Sequence, residues 1–235
     1  MKRARLLRYA RCQAGDYVVE RGIVTLLFSV MTLIGPAIDI LTHRAGQHEP
    51  SIIMALTTMI FVAVMFSSQG LISQPRKLGY YRLVFAKPVN PLAFYAQLFA
   101  VNLVCTIAFT VVAALLFSAF VAHVDAVAVG TLTALSFVLL GGVGFLASSL
   151  FNYDSVGVFA FFAASVVLNE LAKMYTGLAP RAVVLLMPTE HLLALRTGLV
   201  PGAGFAGGDV RWVLGYGVVF FLLGCIVTRY RQLAD

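Results

Sequence analysis

Six apolar runs, separated by short polar stretches, dominate the hydrophobic pattern of the chain. They cover residues 22–41, 51–73, 92–122, 124–150, 155–171 and 213–228. Each approaches or exceeds the roughly 20 residues that an α-helix needs to cross a bilayer. The apolar residues are continuous rather than alternating, which favours helices over a β-barrel. The pattern therefore predicts an all-α integral membrane protein with six transmembrane helices.

Composition supports this prediction and excludes a soluble domain. Hydrophobic residues make up 60% of the chain and charged residues 11%, against about 45–50% and about 25% in soluble domains. The three cysteines, Cys12, Cys105 and Cys225, have no spacing typical of a zinc site or a disulfide. We expect a single membrane domain over residues 1–235 in the cell membrane.

The distribution of charge predicts the topology. The chain has 17 cations and 10 acids, for a net charge of +7. With both termini in the cytoplasm, twelve of the 17 cations fall in cytoplasmic segments, as the positive-inside rule requires. The positive-inside rule thus explains the net positive charge without a nucleic-acid partner.

The N-terminal 21 residues predict an interfacial helix before the first span. Leu7, Ala10, Ala14 and Tyr17 repeat at helical spacing, while Arg5 falls on another side. Two roles remain open for this helix, a positively charged anchor and a surface that packs on a partner.

Residues 171–211 predict broken, re-entrant-like helices between spans five and six. Pro180, Pro188 and Pro201 interrupt a segment that is too apolar for an aqueous loop. Thr189 is a candidate N-cap for a short helix over residues 190–199.

Small residues in the spans predict close helix packing. Span four carries Gly141, Gly142 and Gly144, and span six carries Gly215, Gly217 and Gly224. Packing within the chain is the favoured interpretation over a dimer motif.

No motif of an enzyme is present. The chain has no G-x-x-x-x-G-K-[ST] phosphate loop, H-E-x-x-H or G-x-S-x-G. We therefore expect no catalytic residue, no cofactor and no metal site, and ATP hydrolysis only in another subunit.

Asn169, Glu170 and Lys173 form a polar group at the end of span five. Glu170 and Lys173 have the i, i+3 spacing of a pair on one helix face. Either they form a salt bridge at the outer end of the span, or the group is the polar lining of an exit pathway.

A basic segment, residues 74–95 (QPRKLGYYRLVFAKPVNPLAFY), joins spans two and three. It holds four cations and no acid, which places it in the cytoplasm. It is too short for a domain and is typical of a docking surface.

With this segment, the chain resembles the permease subunit of type-2 ABC exporters. The likeness includes the six spans, an interfacial N-terminal helix, a coupling helix after span two and broken helices before span six. Family members show, in order, a glycine, leucines, a small residue, Pro-Val and a polar residue. In this chain the corresponding positions are Gly79, Leu83, Val84, Phe85, Ala86, Pro88, Val89 and Asn90. The chain departs from the family where Arg76 and Lys77 replace the usual acids, and where Tyr80 follows the glycine.

The resemblance implies a mechanical role. A cytoplasmic coupling helix would dock in a separate ABC ATPase, with Tyr80 and Tyr81 as aromatic anchors. The implied coupling residues are Arg76, Lys77, Leu78, Gly79, Tyr80, Tyr81, Arg82 and Leu83, followed by the motif residues Pro88, Val89 and Asn90. The implied partners are the ATPase, a second permease chain in a homodimer or heterodimer, and membrane lipid.

Other functions remain open on sequence grounds. A stand-alone channel or secondary carrier is typically recognised by a buried charge relay or inverted repeats. An intramembrane enzyme would need convergent His, Asp or Glu side chains. An assembly subunit without transport would couple to an ATPase in the same way. The short outer loops favour lipid-soluble or amphipathic cargo.

The topology is testable by cysteine labelling in a variant that lacks the three native cysteines. We expect Lys77→Cys to resist a membrane-impermeant maleimide in intact cells, because the basic segment is cytoplasmic. Gln47→Cys, in the loop before span two, is the control and should be labelled. Labelling of position 77 from outside would contradict the predicted topology and indicate the opposite orientation.

Overall fold

The computed structural model describes residues 2–42, 49–68, 91–151, 154–174 and 187–232. These ranges are almost entirely helical and contain no strand, as the continuous apolar runs predict. The elements are α1 (Lys2–Tyr17), a π-helical segment (Val18–Gly22), α2 (Ile23–Thr42), α3 (Glu49–Ser68), α4 (Pro91–Phe120), α5 (Ala126–Phe151), α6 (Asp154–Met174), α7 (Pro188–Ala194), a 3₁₀ segment (Leu195–Leu199) and α8 (Gly207–Gln232).

Five helical stretches are long and apolar enough to cross a membrane. They are Ala10–Thr42, Pro50–Ser68, Ala93–Phe120, Ala126–Leu150 and Gly207–Thr228. These lengths and compositions are those of a multi-pass membrane protein. The apolar stretch of α6, Val156–Ala172, is shorter, and it corresponds to the predicted fifth span.

The N-terminal helix does not stop where the first apolar run begins. Tyr17 and Ile23, on either side of the π-helical segment, both have right-handed helical backbone angles. Residues 2–42 therefore form one helical rod about 60 Å long, roughly twice the thickness of a hydrocarbon core. The expected boundary at Gly22 is a local π-helical turn rather than a break.

Helix α5 forms the centre of the described structure. It packs against α3, α4, α6 and α8, and Phe137, Leu139, Leu140 and Phe145 on it are almost completely buried. A helix that is apolar on all sides is expected to occupy such a position.

Glycines bring α5 and α8 into backbone contact. A Cβ atom added at Gly142 would lie 2.5 Å from the carbonyl oxygen of Gly217, and one added at Gly217 would lie 2.5 Å from that of Val138. Only a residue without a side chain fits at such a crossing. The glycines of spans four and six thus pack within the chain, as predicted, with the exception of Gly215, which has open space beside it.

The contacts between helices fix their directions and define two ends of the bundle. Tyr95 contacts Phe145 and Thr110 contacts Thr133, so α4 and α5 are antiparallel. Helix α8 runs parallel to α5. We call the end where α3 finishes and α4 starts the basic-segment end, and the end where α6 finishes and α8 starts the cavity end.

The glycine crossing predicts a difference between two substitutions on one helix. Gly217→Ala should lower the free energy of unfolding by about 1–3 kcal/mol through overpacking. Gly215→Ala is the matched control, because nothing lies within 4 Å of an added Cβ there. Unfolding of both variants in mixed detergent micelles would measure the effect. Equal stability of the two variants would contradict the close crossing.

Candidate functional site

A cavity of about 530 Å³ opens at the cavity end, between α6 and the segment formed by α7 and the 3₁₀ turn. Its walls combine charged, polar and apolar side chains. They are Phe162, Ser165, Val166, Asn169, Glu170, Thr189, Glu190, Leu193, Ala194, Arg196 and Thr197. A volume of this size lies within the range of small-molecule sites, about 300–1,000 Å³.

Two of the three residues predicted to line a pathway meet in this cavity. Asn169 and Glu170 are both part of its wall. The Nδ2 atom of Asn169 donates a hydrogen bond of 2.5 Å to Oε1 of Glu190. Lys173 belongs to α6, but its side chain, and with it the predicted pair with Glu170, lies outside what the structure describes.

The start of α7 corrects the predicted N-cap. The helix begins at Pro188, and Met187 is the N-cap, with no side-chain capping bond. Proline suits the first helical position because its φ angle is preset and its missing N–H would be unpaired there. Thr189 is therefore inside the first turn, where it is 5% exposed and lines the cavity.

Helix α7 is fixed on its other side by contacts to α8. The Nδ1 atom of His191 lies 2.6 Å from Oδ1 of Asp209. The imidazole ring also stacks on Trp212, with ring centroids 5.6 Å apart, and Trp212 stacks in turn on Tyr216. Consecutive residues, Glu190 and His191, thus tie the short helix to α6 and to α8.

A second polar cluster lies toward the basic-segment end. Tyr17 Oη is 2.5 Å from Ser67 Oγ and 3.1 Å from Thr106 Oγ1, and Thr106 donates to the carbonyl of Asn102. Arg21 donates to the Ser67 carbonyl and to Asn102 Oδ1. The cluster joins the N-terminal helical rod to α3 and α4, the two helices that carry the basic segment.

The predicted coupling residues lie outside the described residues. These are the coupling helix, Arg76, Lys77, Leu78, Gly79, Tyr80, Tyr81, Arg82 and Leu83, and the motif residues Pro88, Val89 and Asn90. At this end the structure describes the helices on either side of the basic segment, with Ser67 on α3 before it and Asn102 on α4 after it.

The cavity has the chemistry of a binding site, and the second polar cluster has that of a mechanical contact between helices. Across the described ranges, no three His, Cys, Asp or Glu side chains come together as metal ligands do. The cavity offers two carboxylates, a guanidinium group, hydroxyls and an apolar wall. The second cluster offers a connected chain of hydrogen bonds.

Sequence reasoning missed the second cluster, although a signal was present. Asn102, Thr106 and Thr110 recur every four residues within an apolar helix, which places them on one face. All three are almost fully buried. A polar stripe at helical spacing in a transmembrane run marks a face that packs on protein.

Comparison with protein-family models, with curated proteins and with solved structures gives no match. The resemblance to exporter permeases therefore depends on the features of the sequence itself.

The second cluster predicts a measurable contribution from one hydroxyl. Tyr17→Phe removes the bonds to Ser67 and Thr106, and should lower the free energy of unfolding by about 0.5–2 kcal/mol. Tyr230→Phe is the control, because that side chain is 71% exposed. Comparison of the two variants by unfolding in detergent tests the cluster, and unchanged stability of Tyr17→Phe would refute it.

Proposed function

We propose that the chain is the membrane-spanning permease subunit of an ATP-driven exporter of the type-2 ABC class. It would supply half of a translocation pathway and leave ATP hydrolysis to a separate subunit. The observation that carries the proposal is the basic segment, residues 74–95. It joins two spans and contains four cations and no acid. From Gly79 to Asn90 it resembles the coupling motif of that class, and it departs from the motif at Arg76 and Lys77.

The proposed arrangement has six spans, with both termini in the cytoplasm. The five long apolar helices supply five of them, and α6 would supply the fifth in chain order. This topology puts the basic-segment end in the cytoplasm and the cavity end outside. The charge distribution supports it, since Lys and Arg collect on the cytoplasmic side of membrane proteins.

Coupling would work through the helices that hold the basic segment. An ATPase that pulls on this segment would act on α3 and α4 at Ser67 and Asn102. Arg21 bonds to both residues, so a displacement there would also reach the N-terminal rod. Closure of two ATPases would then move two permease chains against each other, and substrate would cross at the interface between them.

The distribution of buried acids favours this mechanism over a proton-driven carrier. Carriers of that kind commonly use buried carboxylates as a relay. Among the described residues, the buried polar side chains are Ser, Thr and Asn, with no Asp or Glu. An assembly subunit that couples to an ATPase without transport is distinguished by the transport assay below.

Co-purification tests the proposal. The tagged chain, isolated from its native membrane, should carry with it a protein that contains a phosphate loop. The reconstituted complex should hydrolyse ATP and export cargo, whereas the chain alone should show neither activity. Hydrolysis by the chain without a partner would overturn the proposal, and hydrolysis without export would identify the assembly role.

The same preparation tests the docking residues. Replacing Tyr80 and Tyr81 together by Ala should weaken assembly by about 2–4 kcal/mol, the size of a lost interface hot spot. Arg76→Glu with Lys77→Glu should mainly slow association and change its salt dependence. If the double Ala variant retains its ATPase, the tyrosines are anchors in the membrane interface instead.

A further inference from the structure

The cavity end carries two opposite charges that the described structure leaves without ion pairs. Glu190 and Arg196 both line the cavity. Within the described ranges, the Glu190 carboxylate accepts a hydrogen bond from Asn169 but contacts no cation, and no carboxylate lies within ion-pair distance of the Arg196 guanidinium. Both charges are therefore available to a bound molecule.

A hydroxyl adds a third polar group. Thr189 lines the cavity, and the residue as a whole is 5% exposed. A threonine hydroxyl in a cavity wall can donate a hydrogen bond to a bound molecule or accept one from it.

The remaining wall of the cavity is apolar and continues onto the outer surface of the bundle. Val166 on α6 is 58% exposed and Leu193 on α7 is 37% exposed. The neighbouring Val167 and Leu171 are also exposed, at 57% and 44%. In a membrane protein such a surface faces lipid acyl chains, so the cavity joins a charged region to a lipid-facing wall.

We propose that this cavity binds the headgroup of a zwitterionic phospholipid. Its ammonium group would pair with Glu190 and its phosphate with Arg196, since guanidinium binds phosphate through two parallel hydrogen bonds. Thr189 would donate to a phosphate oxygen, and the acyl chains would lie along Val166 and Leu193. An anionic lipid would leave the carboxylate without a cation, and a purely cationic amphiphile would leave Arg196 without an anion.

The binding site stands independently of the proposed ATP coupling, because it requires only the described helices. Its test therefore uses the purified full-length chain in detergent, with no ATPase present. Native mass spectrometry would measure binding of phosphatidylethanolamine and of phosphatidylglycerol with identical acyl chains. We expect the ethanolamine lipid to bind about tenfold more tightly, the equivalent of one charge-assisted interaction.

Two conservative variants test which residue recognises which group. Glu190→Gln keeps an oxygen that accepts the Asn169 hydrogen bond but removes the charge, and it should abolish the preference for the ethanolamine lipid. Arg196→Gln should weaken binding of both lipids. Arg211→Gln is the control, because Arg211 is exposed near the same end but is not part of the cavity wall.

Three results would overturn the proposal. The first is equal binding of the two lipids by the unaltered chain, which is the behaviour of non-specific lipid in a detergent micelle. The second is a Glu190→Gln variant that keeps the full preference. The third is competition by free glycerophosphoethanolamine at the same concentration as the lipid, which would identify a soluble phosphate compound as the ligand.

Discussion

The backbone contact between α5 and α8 is the constraint on which the rest of the bundle depends. Lipid tails are as apolar as leucine side chains, so burial of apolar surface does not by itself hold two helices together in a bilayer. Close van der Waals contact must do so instead, and Gly142 and Gly217 allow it. Because α8 is fixed at this crossing, its first two turns lie where Asp209 and Trp212 hold α7, and α7 forms one wall of the cavity.

Polar contacts then set the positions of the outer helices. Tyr17 and Arg21 bond to α3 and α4 through Ser67, Thr106 and Asn102. The hydroxyl protons form a consistent chain, in which Thr106 donates to Asn102 and is left to accept from Tyr17. An unmet polar group in hydrocarbon is costly, so such a cluster has few alternative partners and specifies one arrangement of the three helices.

The architecture was largely predictable, and the failures have identifiable causes. Apolar runs locate α2 to α6 and α8, and all of these except α6 lie in stretches long and apolar enough to cross a membrane. The N-terminal helix and the first span are predicted as separate helices, since Arg21 resembles a polar boundary until its partners on α3 and α4 are known, whereas the helical structure continues across that boundary. Asn169 and Glu170, predicted to line a pathway, are part of the cavity wall. Glu190 lies 21 residues beyond Asn169, and no local spacing indicates that contact. The error at Thr189 was avoidable, because Pro188 already marks the first helical position.

The π-helical turn at Val18–Gly22 also has a consequence for how the chain tolerates change. Such a turn is equivalent to one residue inserted into an α-helix, and each residue advances an α-helix by about 100°. A π-helical turn takes up its extra residue without rotating the helix beyond it, so deleting one residue within the turn would restore regular winding and leave α1 and α2 nearly in phase. Tyr17 would then still face α4. The same deletion inside α2 would instead rotate everything before it by about 100°, so the turn is the place in the rod where a one-residue change in length is best tolerated.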